Sequence, residues 1–149
     1  MIGLLQRVSG ASVDVDGQRI AEIGTGLLVL IGVERGDGRP QADRLLERLL
    51  NYRVFTDSRG HMNESLRDIG GGLLLVPQFT LPADTRKGNR PGFSKAASPA
   101  LGNELFEYFT AQADAQHARV ACGRFGADMR VSLVNEGPVT FWLQVAPAR

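Results

Sequence analysis

The 149-residue chain has one cysteine and two histidines. A single cysteine cannot form a disulfide within the chain, and Cys122 in a strand-like segment is typical of a protein from a reducing compartment. His61 and His117 lie far from Cys122 without the spacing of metal ligands, so we expect no metal and no other cofactor. The longest apolar run, Gly26 to Val33, falls far short of the ~20 residues of a membrane-spanning helix. Without a secretory signal at the start, a cytoplasmic protein is expected.

The chain also has little excess charge, with a formal net charge of +1. A protein with so weak a charge does not bind nucleic acid through its overall field, so any contact with a polyanion requires a local basic patch. Hydrophobic residues make up 43% of the chain, which suffices for one substantial core. We find no repeat, low-complexity tract or linker, and therefore expect a single domain covering residues 1–149.

Hydrophobic periodicity predicts an α+β fold. The helical spacing after Pro40 predicts one helix, and the Ser98-Pro99 pair predicts the start of another, since serine caps a helix that has proline in its first turn. Asp16-Gly17 predicts a hairpin turn, and residues 55–72 read as a long connection. The strands are expected at Ile2–Val8, Ala11–Val15, Ile20–Ile23, Leu27–Val33, Leu73–Val76, Met129–Val134 and Val139–Val145. These seven strands and two main helices favour a mostly antiparallel sheet with helices packed on it.

The first candidate site is the segment Pro77-Gln78-Phe79-Thr80-Leu81, where a buried strand breaks into a loop. Adjacent free N–H groups of Phe79 and Thr80 would form an oxyanion hole. Three roles remain open for the Thr80 hydroxyl: a nucleophile, a hydrogen-bond donor or a loop-capping group. From the residues alone, a plain strand terminus with a buried phenylalanine is the favoured interpretation.

The second candidate is Asn135-Glu136-Gly137-Pro138-Val139-Thr140, between two expected strands. Asn, Gly and Pro are common turn residues, so a hairpin turn is the favoured interpretation. A functional role would require a backbone group held rigidly in place. Only ~5–6% of X-Pro bonds in folded proteins are cis; a cis bond here would hold the Gly137 carbonyl rigidly as a gauge for a substrate.

The third candidate is the loop from Asp84 to Lys95, which contains both lysines of the chain. Its basic residues are Arg86, Lys87, Arg90 and Lys95. A phosphate clamp and an ordinary solvated loop are equally supported. Four phosphate contacts to single-stranded RNA would give a slope of log K against log salt of about −3.

These segments together resemble one known family. The run Pro77 to Leu81, the Ala-Asp-Thr-Arg-Lys-Gly sequence that follows, the segment Gly123 to Met129 and the run Asn135 to Thr140 look like those of the D-aminoacyl-tRNA deacylases. The resemblance covers the whole chain and implies the family's fold, with a barrel-like core. It also implies a homodimer with two active sites at its interface, acting on the 3′-terminal adenosine of aminoacylated tRNA.

The resemblance further implies roles for individual residues. Gln78, Phe79 and Thr80 of one subunit would form the catalytic loop, with water attack assisted by the 2′-hydroxyl of the RNA and the oxyanion held by backbone amides. A cis Gly137-Pro138 pair of the other subunit would exclude L side chains, so that D-aminoacyl and glycyl esters, including glycyl-tRNA(Ala), pass. The remaining members of the expected substrate site are Asn135, Thr140, Met129, which would line the pocket, and Arg7, which would brace the Gly-Pro pair.

One position departs from the family's motif. Its commonest form begins with serine, whereas this chain has Pro77, which lacks both a hydroxyl and a backbone N–H. The amides of residues 78–80 are retained, so the expected oxyanion hole is not lost. The alternative function is a non-catalytic nucleic-acid-binding module that uses the basic loop 86–95. The weak net charge and the lack of interleaved aromatics for base stacking speak against it.

Overall fold

A computed structural model describes residues 1–147 of the chain. These residues form eight strands and three helices. In chain order the elements are β1 (Ile2–Val15), β2 (Gln18–Ile23), β3 (Gly26–Gly32), α1 (Arg39–Asn51), β4 (Phe55–Thr56), β5 (Met62–Glu64), α2 (Leu66–Ile69), β6 (Gly72–Pro77), α3 (Pro99–Gln116), β7 (Val120–Cys122) and β8 (Arg130–Gln144).

The long strand β1 organises the main sheet. It pairs antiparallel with β8 along one edge, and with β3 and then β2 along the other. Beyond β3 the order continues with β6 and β7, both paired in parallel, while β4 and β5 form a separate two-stranded ribbon. The sheet curls until β2 approaches β6: a Cβ atom on Gly72 would lie 2.8 Å from Cβ of Ile23. The prediction of an α+β domain with a mostly antiparallel, barrel-like sheet is confirmed.

Apolar residues cover both faces of the central strands, which explains their uninterrupted hydrophobic runs. Leu27, Val29 and Ile31 of β3 pack with the leucines of α1 and with α3, whereas Leu28 packs inside the curled sheet with Val8 and Val13 of β1. Strand β6 alternates in the same way. This double burial is what parallel strands covered on both faces require.

Both long helices follow their sequence signals. Helix α1, which the spacing after Pro40 predicts, buries one stripe of residues: Ala42, Leu45, Leu46, Leu49 and Leu50. Helix α3 begins at the expected cap, where the Ser98 side chain accepts a hydrogen bond from the Leu101 amide at 3.2 Å. Leu101 itself is half-buried. The Asp16-Gly17 turn is confirmed, with φ angles of 50° and 77°.

The strand predictions were wrong at both ends of the chain. Residues 2–15 form one strand, and register shifts between Gln6 and Gly10 absorb the irregularity that had suggested two strands. Residues 130–144 likewise form one strand, so the hairpin turn expected at Asn135–Thr140 is absent. The reason is non-local: β1 is long enough to pair with both halves of β8. The connection 55–72 holds β4, β5 and α2, which the sequence analysis did not predict.

The loop 34–37 is fixed to the start of β1 by buried charges. The ammonium group of Met1 donates to Asp37 Oδ1 at 2.9 Å and lies 3.4 Å from Glu34 Oε2. The Asp37 carboxylate also accepts the Glu34 amide at 2.7 Å, and the Gln144 side chain donates to Glu34 at 2.8 Å. Glu34 and Asp37 are both buried. Interactions among the Met1 ammonium group, the two carboxylates and the Gln144 side chain therefore hold this loop in one position.

Candidate active site

Strand β6 ends in a loop whose backbone leaves the sheet one residue after Pro77. The Gln78 amide donates to the Ile31 carbonyl at 2.8 Å and so continues the pairing with β3. The next two amides, those of Phe79 and Thr80, have no hydrogen-bond acceptor within residues 1–147. The turn is closed by the amides of Leu81 and Ala83, which donate to the carbonyls of Gln78 and Thr80. The loop therefore presents two adjacent free N–H groups, and the Gln78 amide does not take part.

The Thr80 side chain is exposed, and its hydroxyl oxygen accepts a hydrogen bond from the Gln78 side-chain amide. Within the described part of the chain, no histidine or carboxylate hydrogen-bonds to this hydroxyl. A hydroxyl nucleophile requires a neighbouring base to take its proton. The arrangement orients Thr80 without activating it.

A cavity of about 990 Å³ opens beside this loop. It falls at the upper end of the size range of small-molecule sites. Its lining includes Pro77, Gln78, Phe79, Phe93, Phe106, Phe125, Met129, Arg35 and residues 96–99. Phe79 is 68% exposed, so the expectation of a buried phenylalanine at a plain strand end is wrong. Its ring lies 5.8 Å from that of Phe93, at an interplanar angle of 35°.

Met129 reaches the cavity because Gly123 has no side chain. A Cβ atom on Gly123 would lie 2.8 Å from the Met129 sulfur and 3.3 Å from Cδ of Pro77. The glycine thus allows Met129 to pack directly beside the end of β6. Met129 lines the cavity, and its contact with a substrate there stays a prediction.

The Gly137-Pro138 peptide bond is cis, and both residues are exposed on β8. Arg7 lies against them: its Nε donates to the Glu136 carbonyl at 2.9 Å and its Nη1 to the Val54 carbonyl at 2.7 Å. The φ angle of Gly137 is +135°, which L side chains rarely adopt.

The Asn135 side chain holds the other side of the same element. Its Oδ1 accepts the Val139 amide at 2.9 Å, and its Nδ2 donates to the Thr140 hydroxyl at 2.8 Å. Neither Gly137 nor Pro138 lines the cavity beside Phe79 in the same chain. The structure therefore groups Arg7, Asn135 and Thr140 around Gly137-Pro138, away from the loop 78–80 of the same chain.

The basic loop divides into paired and unpaired charges. Arg86 forms two hydrogen bonds to the Asp84 carboxylate, at 2.9 and 2.7 Å, and hydrogen bonding to Arg86 holds the pKa of Asp84 well below its usual range. Lys87, Arg90 and Lys95 are exposed and have no ion-pair partner within residues 1–147. Of the four basic residues predicted to contact a polyanion, Arg86 is the one already neutralised.

Other candidate groups have ordinary structural surroundings. Burial raises the pKa of the Cys122 thiol to about 11, so the thiol is protonated at neutral pH. A ring nitrogen of His117 lies 2.6 Å from the Gly71 carbonyl. Residues 1–147 contain no cluster of three or more His, Cys, Asp or Glu side chains able to hold a metal ion. None of the helices described in this range combines the length and the apolarity that crossing a membrane demands.

Comparison with known proteins decides the family. The family model of D-Tyr-tRNA(Tyr) deacylase matches residues 4–144. The chain belongs to this deacylase family. A D-aminoacyl-tRNA deacylase from Nitrosococcus oceani is 66% identical over 148 residues, covering 99% of this chain and 96% of the relative. One from Pseudomonas putida is 67% identical over 145 residues, covering 97% and 100%.

Solved structures agree with this membership. The c-Myc DNA Unwinding Element Binding Protein superposes with a TM-score of 0.94 at 36% identity, covering 98% of this chain and 99% of that one. A probable eukaryotic D-amino acid tRNA deacylase superposes with a TM-score of 0.79 at 18% identity, covering 97% and 98%, which supports the fold alone. The resemblance stated from the sequence motifs is confirmed, and with it the expected class of enzyme.

Phe93 and Arg35 line the cavity but are not among the site residues predicted from the sequence. Phe93 is the single aromatic residue of the basic loop, and the charged residues around it favour an interpretation as an anion-binding loop. Arg35 lies in the loop 34–37, which contains no motif. Its position follows from pairing with residues 95–97, about sixty residues away, and no local pattern predicts such a contact.

Proposed function

We propose that the protein hydrolyses the ester between a D-amino acid and the 3′-terminal adenosine of tRNA, giving the free amino acid and tRNA. The free amides of Phe79 and Thr80 beside the cavity carry this proposal. Water attacks the ester carbonyl carbon, the carbonyl oxygen gains negative charge, and both N–H groups donate to it. Collapse of this intermediate releases the ribose oxygen, which takes a proton. Fixed donors of this kind supply a large electrostatic share of catalysis.

In this scheme Thr80 positions the substrate and does not attack it. Its hydroxyl oxygen already accepts from the Gln78 side chain, which orients the hydroxyl hydrogen away from Gln78. The proton of the attacking water passes through the 2′-hydroxyl of the substrate to the departing ribose oxygen. Gln78 contributes by fixing both the strand exit and the Thr80 hydroxyl.

The working form is proposed to be a homodimer built on β8. This strand pairs with β1 along one edge, and no strand of the described residues pairs with its other edge. It also exposes large apolar side chains, with Val134 59% and Trp142 50% exposed. A long, open and apolar strand edge is an established place for association with a second chain. A second copy would cover this face.

Within the dimer, Gly137 and Pro138 would enter the cavity of the partner and reject L side chains. The support is that this element is exposed and held on two sides, by Arg7 at the Glu136 carbonyl and by Asn135 at the Val139 amide, yet does not line its own cavity. Exclusion by a fixed obstacle is one of the two ways to achieve specificity. Glycine has no side chain, so glycyl-tRNA, including glycine mischarged on tRNA(Ala), should also be a substrate.

The tRNA body is proposed to contact the unpaired charges of Lys87, Arg90 and Lys95 in a cytoplasmic setting, where aminoacylated tRNA is found. The alternative is a non-catalytic nucleic-acid-binding module using loop 86–95. The name of one structural relative, which describes binding to a DNA unwinding element, is the observation that supports this alternative. The free amides at a cavity favour the hydrolase, because a binding module has no use for an oxyanion hole.

A deacylation assay with both enantiomers tests the proposal. The purified protein should release D-tyrosine from D-tyrosyl-tRNA at least about 100-fold faster than L-tyrosine from the L-ester, as expected for discrimination of a few kcal/mol. Glycyl-tRNA should be cleaved as well. Salt-sensitive tRNA binding without ester turnover would support the binding module instead, and equal rates for both enantiomers would contradict the chiral selection.

A further inference from the structure

We propose that Arg35 and Lys95 form a phosphate clamp at the rim of the cavity. The clamp would hold the phosphodiester that precedes the terminal adenosine of the tRNA. This inference rests on the proposed function, since it assigns a binding role within the same site. It adds Arg35 to the residues that contact RNA and removes Arg86 from them.

A short antiparallel pairing of the backbone places Arg35 opposite Lys95. The Ala97 amide donates to the Val33 carbonyl at 3.0 Å, and the Arg35 amide donates to the Lys95 carbonyl at 2.9 Å. Between these bonds, Glu34 and Ala96 form an antiparallel bridge. Residues directly opposite each other in such a pairing project to the same face. Arg35 and Lys95 therefore share one face, and Glu34 points to the other.

Two like charges directly opposite each other destabilise a strand pair. Both side chains are exposed, and neither has an ion-pair partner within residues 1–147. The acidic neighbours in the loop are already used, because Glu34 and Asp37 bind the Met1 ammonium group on the buried side. A bound anion would remove this repulsion, and a phosphate accepts hydrogen bonds from both side chains.

The position of the pair fits the end of the tRNA. Arg35 lines the cavity together with Gln78 and Phe79, so this member of the clamp faces the same cavity as the loop that carries the free amides. The backbone of Arg35 is fixed by the Lys95 carbonyl and by the buried charges of the loop 34–37. Arg86, in contrast, is neutralised by Asp84 and lacks a free charge for a phosphate.

Two substrates that differ by one phosphate test the clamp: 3′-D-tyrosyl-adenosine and its 5′-monophosphate. Replacing Arg35 with alanine should lower kcat/KM for the phosphorylated substrate about tenfold more than for the nucleoside ester, the low end for a hydrogen bond to a charged group. On D-tyrosyl-tRNA, the slope of log kcat/KM against log salt should become shallower by about 0.7 for the lost contact. Arg35→Lys should retain most of the phosphate effect. Arg44→Ala, which removes an exposed helix charge paired with Glu47, is the matched control and should change neither substrate.

Equal losses on both substrates would assign Arg35 a structural role, and no loss on either would exclude the contact; each result overturns the clamp. Equilibrium binding of adenosine 5′-monophosphate and adenosine separates this outcome from failure of the proposed function. If the wild-type protein cleaves no ester, the hydrolase proposal fails, whereas weaker binding of the nucleotide alone by Arg35→Ala still supports the clamp. Identical binding of the nucleotide by wild type and variant contradicts it.

Discussion

Thr80→Pro should lower kcat for D-tyrosyl-tRNA by about 100- to 1,000-fold relative to Thr80→Ala, because only proline removes the amide that donates to the oxyanion. Both substitutions delete the hydroxyl, so their difference isolates the backbone N–H. The Thr80 amide has no acceptor within residues 1–147, and its removal breaks no hydrogen bond there. Single-turnover deacylation of D-tyrosyl-tRNA measures this difference directly.

The alanine variant separates the two roles left open for the hydroxyl. A positioning residue predicts a measurable remaining rate, since the amides and the 2′-hydroxyl of the RNA are still present. An obligatory nucleophile predicts that Thr80→Ala is as inactive as Thr80→Pro. Thermal unfolding and tRNA affinity of both variants serve as controls, because a loop distorted by proline would also lose binding. Equal rates for Thr80→Ala and Thr80→Pro would contradict the oxyanion role of this amide.

The same loop shows how far sequence reasoning reaches into a site of this kind. The break at Pro77 correctly located the end of a buried strand, and the polar loop after it was the right place to expect free amides. Free amides were expected at Phe79 and Thr80, whereas the pairing of the Gln78 amide was not predictable. The Gln78 amide is occupied because Ile31 lies beside it in a parallel pairing across 47 positions of sequence. Availability of a donor depends on its neighbours in the sheet, and a linear pattern carries no such information.

For the fold, elements that depend on local sequence were predicted correctly, whereas those that depend on a distant partner strand were not. Helices α1 and α3 were predicted well because their spacing and caps lie within one segment. The turn-forming residues Asn135 to Pro138 led to the wrong prediction of a hairpin, because whether the chain reverses there depends on a partner strand. Here β1 pairs on both sides of them, and β8 continues through. The motif resemblance predicts a functional role for this segment, which propensity alone did not suggest.

Gly137→Ala should raise cleavage of L-tyrosyl-tRNA by on the order of 100-fold and change D-ester cleavage much less, if this element is the chiral filter. The physical reason is steric. A Cβ atom on Gly137 would lie 2.7 Å from Cγ2 of Val139 and 3.0 Å from Nη2 of Arg7, at a φ angle that disfavours L side chains. The substitution therefore displaces the Gly-Pro element from the position in which Arg7 holds it.

Mixing subunits then tests whether the filter acts across the dimer. When Gly137→Ala subunits are exchanged with an excess of Thr80→Pro subunits, each working catalytic loop is paired with an intact Gly137 of its partner. Cleavage of the L-ester should then fall toward the wild-type level, while the D-ester is still cleaved by the working loops. A filter acting within one chain predicts that L-ester cleavage per working loop is unchanged by mixing.

Exchange with Arg44→Ala/Thr80→Pro subunits is the matched control and should give the same result, because Arg44 lies on the exposed face of α1, paired with Glu47. Persistence of L-ester cleavage after complete exchange would place the filter in the same subunit as Thr80 and contradict the shared site.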